Sequence, residues 1–175
     1  MKKWIRGLVC LTIMMVLLVQ NVYASTPTWE QLADEGKTSE LLTENEDEEV
    51  VNETARGAMF STAVLRIYNG QDGTLNISVD TLAHVNVDSI YQSVFLDKWN
   101  EEKDAWVKVG YWEFERTKEE EENGELSSYH VDLTITGCEV NHYYRARAIH
   151  LVQLGDDAEG KSTQTNGVLL TDHEI

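Results

Sequence analysis

Histidine, cysteine and clustered carboxylates are the side chains through which this sequence could do chemistry, and their spacing argues against catalysis. The five histidines, His84, His130, His142, His150 and His173, stand apart from one another. None falls in HExxH or HxH, and the chain has neither a GxSxG elbow nor a glycine loop built to cradle phosphate. His142 and His150 read as a loop residue and a strand-end residue. The loops Asn69-Gly70-Gln71-Asp72-Gly73 and Gly155-Asp156-Asp157-Ala158-Glu159-Gly160 place oxygen donors on flexible backbone, as calcium sites do. Neither keeps the spaced D-x-[DN]-x-[DN]-G pattern, so both read as solvated turns. A loosely bound calcium ion is the one cofactor they leave open. Cys138 has no second thiol or histidine pair beside it and makes no zinc site.

The aromatic residues carry more information. Ile90–Trp99 and Ala105–Glu115 flank a polar turn and read as a hairpin. With Trp99 paired to Trp106, Asp97 opposes Lys108, Phe95 opposes Gly110, Ser93 opposes Trp112 and Tyr91 opposes Phe114. Opposite charges and aromatic pairs across a ladder favour that register. One face then carries Tyr91, Phe95, Trp99, Trp106, Trp112 and Phe114. The other carries Ile90, Val94, Leu96, Val107, Val109 and Tyr111. The Asp97–Lys108 pair belongs in water, so the aromatic face is expected outermost, as a candidate binding surface. A register shifted by one residue would instead send some of these tryptophans into the core.

The elements that position this hairpin alternate with period two. Ala63, Leu65 and Ile67, then Leu75, Ile77 and Val79, then Tyr129, Val131, Leu133 and Ile135 mark half-buried strands. Val140–Leu151 and Thr163–Leu170 supply two more, which makes seven strands in a two-sheet, all-β sandwich over residues 58–175. Only the acidic connection near Arg116–Glu122 has room for a turn of helix. Ahead of the domain, residues 25–57 are rich in Asp and Glu, including the run Glu44–Glu49, and are expected to be a disordered acidic linker.

The first residues bear on compartment. Lys2, Lys3 and Arg6 precede an apolar stretch, Leu8–Val19, and Val22-Tyr23-Ala24 places small residues for cleavage before Ser25. About 12 apolar residues rise only ~18 Å as a helix, short of the ~30 Å hydrocarbon core. Residues 1–24 are thus expected to be a signal peptide, the mature protein to be secreted and extracellular, and no stable membrane insertion to follow cleavage. Losing Lys2, Lys3 and Arg6 takes the formal net charge from −17 to −20. Such a surface repels nucleic acid and anionic lipid. Cys138 would be the single cysteine left, so the domain holds together without an internal disulfide.

One stretch carries a family likeness. Thr136-Gly137-Cys138-Glu139-Val140-Asn141-His142-Tyr143-Tyr144-Arg145-Ala146-Arg147-Ala148 resembles the penultimate strand of fibronectin type III and related immunoglobulin-like domains. The likeness implies that Tyr144 is the corner tyrosine, with a buried ring and a hydroxyl bonded back to the turn. It also implies that Ala146 and Ala148 face the core, that Arg145 and Arg147 face solvent, and that Cys138 stands where the family buries a leucine. The family's proline-glycine before the tyrosine is absent. The chain also resembles small secreted proteins of unknown function from clostridial-type bacteria, which implies no activity.

The function expected from these observations is a secreted, non-enzymatic binding or interaction module for a protein or glycan. A structural or assembly component of a surface structure, joined by strand addition, is the alternative. A hydrolase with an unrecognised site is the enzymatic one.

Overall fold

Alternating apolar and polar residues give strands wherever one face can be buried, and the computed structural model describes residues 37–174. The expected signal peptide and the linker before Lys37 lie outside the described residues. Nine strands follow in order: β1 (Glu46–Asn52), β2 (Phe60–Asn69), β3 (Leu75–Ala83), β4 (Ser89–Asn100), β5 (Ala105–Thr117), β6 (Ser128–Ile135), β7 (Tyr143–Leu154), β8 (Asp157–Gln164) and β9 (Val168–Leu169). A single 3-10 turn, Lys118–Glu120, sits in the acidic connection where helix was expected. One sheet has the order β1-β2-β3-β6. The other runs β5-β4-β7-β8, with β9 also on β7.

The two sheets face each other as an all-β sandwich. Leu65 and Ile67 of β2 and Leu75, Ile77 and Val79 of β3 meet Val94 and Leu96 of β4 and Ala146 and Ala148 of β7 in one apolar cluster. Phe60, Ala63, Val87, Ile90, Leu126 and Val152 form a second. A polar layer separates them. Thr81, Gln92 and His150 occupy the inward positions between the two clusters, and all are 0% exposed. Gln92 Nε2 donates to Thr81 Oγ1 (2.9 Å) and to the Tyr129 carbonyl (3.0 Å). His150 Nδ1 lies 2.8 Å from Thr81 Oγ1, and its Nε2 lies 2.9 Å from Thr163 Oγ1. Thr81 receives a hydrogen from Gln92, so its own hydroxyl is free to donate to Nδ1 while Nε2–H donates to Thr163. Burial pushes the His150 pKa down to about 3 and keeps the ring neutral. His150 is therefore a mid-strand core residue rather than a strand-end one.

Three further expectations change. Nine strands replace seven, because two of them lack the apolar alternation that marks the others. Residues 46–52, inside the expected linker, pair along β2 from Glu46↔Tyr68 to Asn52↔Thr62. The acidic run alternates as well as any apolar one. Asp47 and Glu49 turn inward and accept the backbone N–H of Asn166 (2.7 Å) and Gln164 (2.6 Å). Glu46 and Glu48 face out. The last expected strand, 163–170, is split, since β8 already begins at Asp157 inside the loop read as a solvated turn.

At the corner, Tyr144 is 2% exposed and its hydroxyl donates to the Glu139 carbonyl at 3.0 Å. Burial raises its pKa to about 12. Ala146 and Ala148 are fully buried as expected. Cys138 is half-buried against the larger cluster, and burial raises the pKa of its thiol. Arg145 and Arg147, expected in solvent, are 6% and 4% exposed.

Candidate functional site

The expected hairpin register holds at the turn and breaks further along. Trp99 pairs with Trp106 and Asp97 with Lys108, but Leu96 then pairs with Gly110, which leaves Val109 as an extra residue on β5. This β-bulge flips every later β5 side chain to the opposite face. Trp112 now opposes Val94 and Phe114 opposes Gln92, and both pack against the core instead of facing out. Gly110 permits this, because a Cβ there would collide with the Trp112 ring. Val107, Val109 and Tyr111, expected in the core, are exposed. Of the six candidate residues, only Tyr91, Phe95, Trp99 and Trp106 share the outer face of the five-stranded sheet.

That outer face is not bare. Phe95 is 2% exposed, and Tyr91, Trp99 and Trp106 are half-buried. Asp97, 2% exposed, accepts from both neighbouring arginines of β7: Oδ2 from Arg145 Nε (2.9 Å) and Arg147 Nε (2.7 Å), and Oδ1 from Arg147 Nη2 (3.0 Å). Each guanidinium also lies over a ring, Arg145 over Trp106 at 4.8 Å and Arg147 over Phe95 at 5.0 Å. Their planar cations stack on aromatic faces while the edge nitrogens meet the carboxylate. Residues 37–42 strap this layer. Ser39 Oγ accepts from Arg145 Nη1, and Glu40 and Leu42 bond the backbone of Gly167. Gly167 has no side chain because the Trp106 ring lies against it.

Further along the same face the layer opens into a cleft of ≈ 560 Å³ lined by Tyr91, Ser93, Glu113, Glu115, Ile149 and Leu151, among others. The cross-strand pairs Tyr91↔Glu115, Ser93↔Glu113, Ser93↔Ile149 and Tyr91↔Leu151 build it. Its floor is apolar, and one wall carries two carboxylates. Glu113 also accepts a hydrogen bond from the Tyr111 hydroxyl. Tyr91 was among the expected residues; Ser93, Glu113, Glu115, Ile149 and Leu151 were not. For Ile149 and Leu151 the signal was β7 itself, in which Ala148-Ile149-His150-Leu151-Val152 carries bulk on both faces, the mark of a central strand covered twice.

A paired comparison reads the bulge directly. Trp106→Ser is expected to cost ~2 kcal/mol, about half the loss of a fully buried tryptophan. Val109→Ser, at a residue 52% exposed, is expected to stay within about 0.5 kcal/mol. Urea unfolding of the two variants side by side checks this, and a larger loss at Val109 would restore the unbulged register.

Among the described residues no three His, Cys, Asp or Glu side chains converge as metal ligands. In the first acidic loop, Asp72 accepts instead from the N–H and hydroxyl of Thr74. Among the described residues no helix is long and apolar enough to cross a membrane. A search of curated proteins finds no match for the chain. A family model does match, over residues 31–168, a span that takes in the acidic strand β1, the bulged hairpin and the cleft. On that match the chain belongs to the family of unknown function DUF6147.

Proposed function

We propose that the protein is a secreted, non-catalytic binding module of immunoglobulin-like architecture that takes a basic segment of a protein partner in the cleft on its five-stranded sheet. The observation that carries the reading is the pairing of an apolar floor, Ile149 and Leu151 with Tyr91, with the carboxylates of Glu113 and Glu115 along one wall. Lysine and arginine suit such a site, because their stems cover apolar surface while their cations meet carboxylates. The net charge, −17 for the full chain and more negative still without Lys2, Lys3 and Arg6, adds long-range attraction for a cationic partner and repels an anionic one. Secretion is supported by Lys2, Lys3 and Arg6, the apolar stretch Leu8–Val19 and the small residues before Ser25. The immunoglobulin-like reading is supported by the Tyr144 hydroxyl bonded back to the Glu139 carbonyl and by the two facing antiparallel sheets.

Amide-resolved NMR titration with short lysine- and arginine-bearing peptides tests the cleft. Shifts are expected to concentrate at residues 91–93, 113–115 and 149–153. Glu113→Gln with Glu115→Gln should weaken binding roughly tenfold, the worth of ~1.4 kcal/mol. Neutral oligosaccharides run in parallel distinguish the other partner class. If they shift these amides and the peptides do not, the partner is a glycan and the charge argument fails.

A further inference from the structure

Four strands end the two sheets, and three of them carry a feature that works against pairing with a copy of themselves. Glu46 and Glu48 face outward on β1, so two copies of that edge would set like charges together. At the C-terminal end of β8, Glu49 holds the Gln164 N–H, and Asp47 and the 37–42 strap hold Asn166 and Gly167 just beyond it. The bulge at Val109 interrupts β5. β6 differs from all three. It pairs with β3 from Leu75↔Ile135 to Leu82↔Ser128 without a shift, and among the described residues no strand lies on its far side.

The backbone phase of β6 is set by its first ladder bond, Ala83 N–H to the Ser127 carbonyl at 2.8 Å. Odd-numbered residues of β6 therefore turn their N–H and C=O groups to β3. Ser128, His130, Asp132 and Thr134 turn theirs away from the sheet. A second β6 laid antiparallel and centred on Val131 would meet those groups in hydrogen-bonding phase. It would set His130 opposite Asp132 of the second copy, Asp132 opposite His130, Ser128 opposite Thr134 and Tyr129 opposite Leu133. Both side chains are exposed, and His130 already bonds its own Asp132 at 3.0 Å and Asp80 at 2.7 Å. Across the two copies, imidazoles and carboxylates would alternate along one face.

We propose that β6 is a homotypic docking edge, through which two copies of this chain join their four-stranded sheets into one continuous antiparallel sheet about a two-fold axis at Val131. The partner it fits is a second copy, because the strand's alternation of imidazole and carboxylate is its own complement when reversed. A two-fold axis also makes the contact close on itself as a dimer.

Sedimentation velocity tests this on the protein purified with its natural N-terminal processing, at physiological ionic strength, where screening over ~8 Å limits repulsion between two acidic copies. A concentration-dependent dimer is expected. His130→Asp should weaken it roughly tenfold or more, since it sets like charges opposite each other across the ladder. The swap His130→Asp/Asp132→His should restore it, with circular dichroism and thermal unfolding confirming that each variant is folded. An independent readout uses Val131→Cys in a Cys138→Ser background. At the two-fold, its own symmetry mate faces it as a non-hydrogen-bonded pair with Cα atoms ~4.5 Å apart, within disulfide reach. Air oxidation should give a covalent dimer there but not with Leu133→Cys, which faces Tyr129. A wild type monomeric up to high micromolar concentration, a dimer indifferent to His130→Asp, or equal cross-linking at 131 and 133 would each overturn the proposal.

Discussion

Asp97→Ala is expected to be among the most damaging single substitutions in the domain, at ~3–5 kcal/mol, the loss seen when one partner of a buried ionic cluster is removed. The carboxylate is the acceptor for both Arg145 and Arg147, whose side chains are 8% and 5% exposed. Alanine leaves two guanidinium groups facing each other below the protein surface, with their stacking on Trp106 and Phe95 intact but without the anion between them. Asp97→Asn should be milder than alanine, because its amide oxygen still accepts from one arginine. Replacing Asp97, Arg145 and Arg147 together by apolar residues of similar size should cost less than alanine alone, since the desolvation of all three charges then disappears. Urea unfolding of the three variants measures this. A loss below about 1 kcal/mol for Asp97→Ala would mean that water reaches the cluster.

The second large effect depends on pH. His150 is fully buried between the two apolar clusters, and its pKa falls to about 3 in the folded chain. Unfolded, it returns to ~6.5, so below that value the unfolded chain takes up a proton that the folded chain refuses. The stability this residue contributes is full above ~6.5 and is lost as pH falls toward 3, by ~2 kcal/mol at pH 5 and ~3 kcal/mol at pH 4. Between pH 7 and 5 most carboxylates stay ionised in both states. His130 works in the opposite sense there. Asp132 and Asp80 raise its pKa, so it adds stability as pH falls. The contribution of His150 is therefore read as the difference between the wild type and His150→Gln. The glutamine variant should be less stable at pH 7 yet show a shallower acid slope, by nearly one proton at pH 5. Equal slopes for the two proteins would show that His150 does not stay neutral in the fold.

Both predictions come from side chains that the linear pattern places only in part. Period two located β2, β3 and β6, because each buries a single face and its apolar residues repeat without interruption. The resemblance of the 136–148 stretch, not the alternation, implied buried positions for Tyr144, Ala146 and Ala148, and all three are buried. The alternation failed at β1 because the inward positions there are Asp47 and Glu49, which satisfy backbone amides instead of filling a core. It failed at β8 for a related reason: Asp157–Gly160 pairs through its backbone with β7 and shows no apolar face.

The Trp99–Trp106 pair was legible because aromatic side chains directly across a ladder select each other by shape. The Asp97↔Lys108 register came with it, although Asp97, expected in water, is buried with its carboxylate on Arg145 and Arg147. The positions of Trp112 and Phe114 were not legible, since one bulged residue reverses the face of everything beyond it. Where the bulge falls depends on Gly110 making room for the Trp112 ring, which is a contact in three dimensions. Arginines that alternate with alanines on a strand look solvent-facing in sequence. Whether Arg145 and Arg147 meet water depends on Asp97 of a neighbouring strand and on a strap about a hundred residues away in the chain. The sequence by itself thus determined the all-β class, the strands with one apolar face, the burial of Tyr144 and the acidic character. The second face of each central strand belonged to the tertiary structure, because local alternation records only that a face is buried, and what covers it comes from distant parts of the chain.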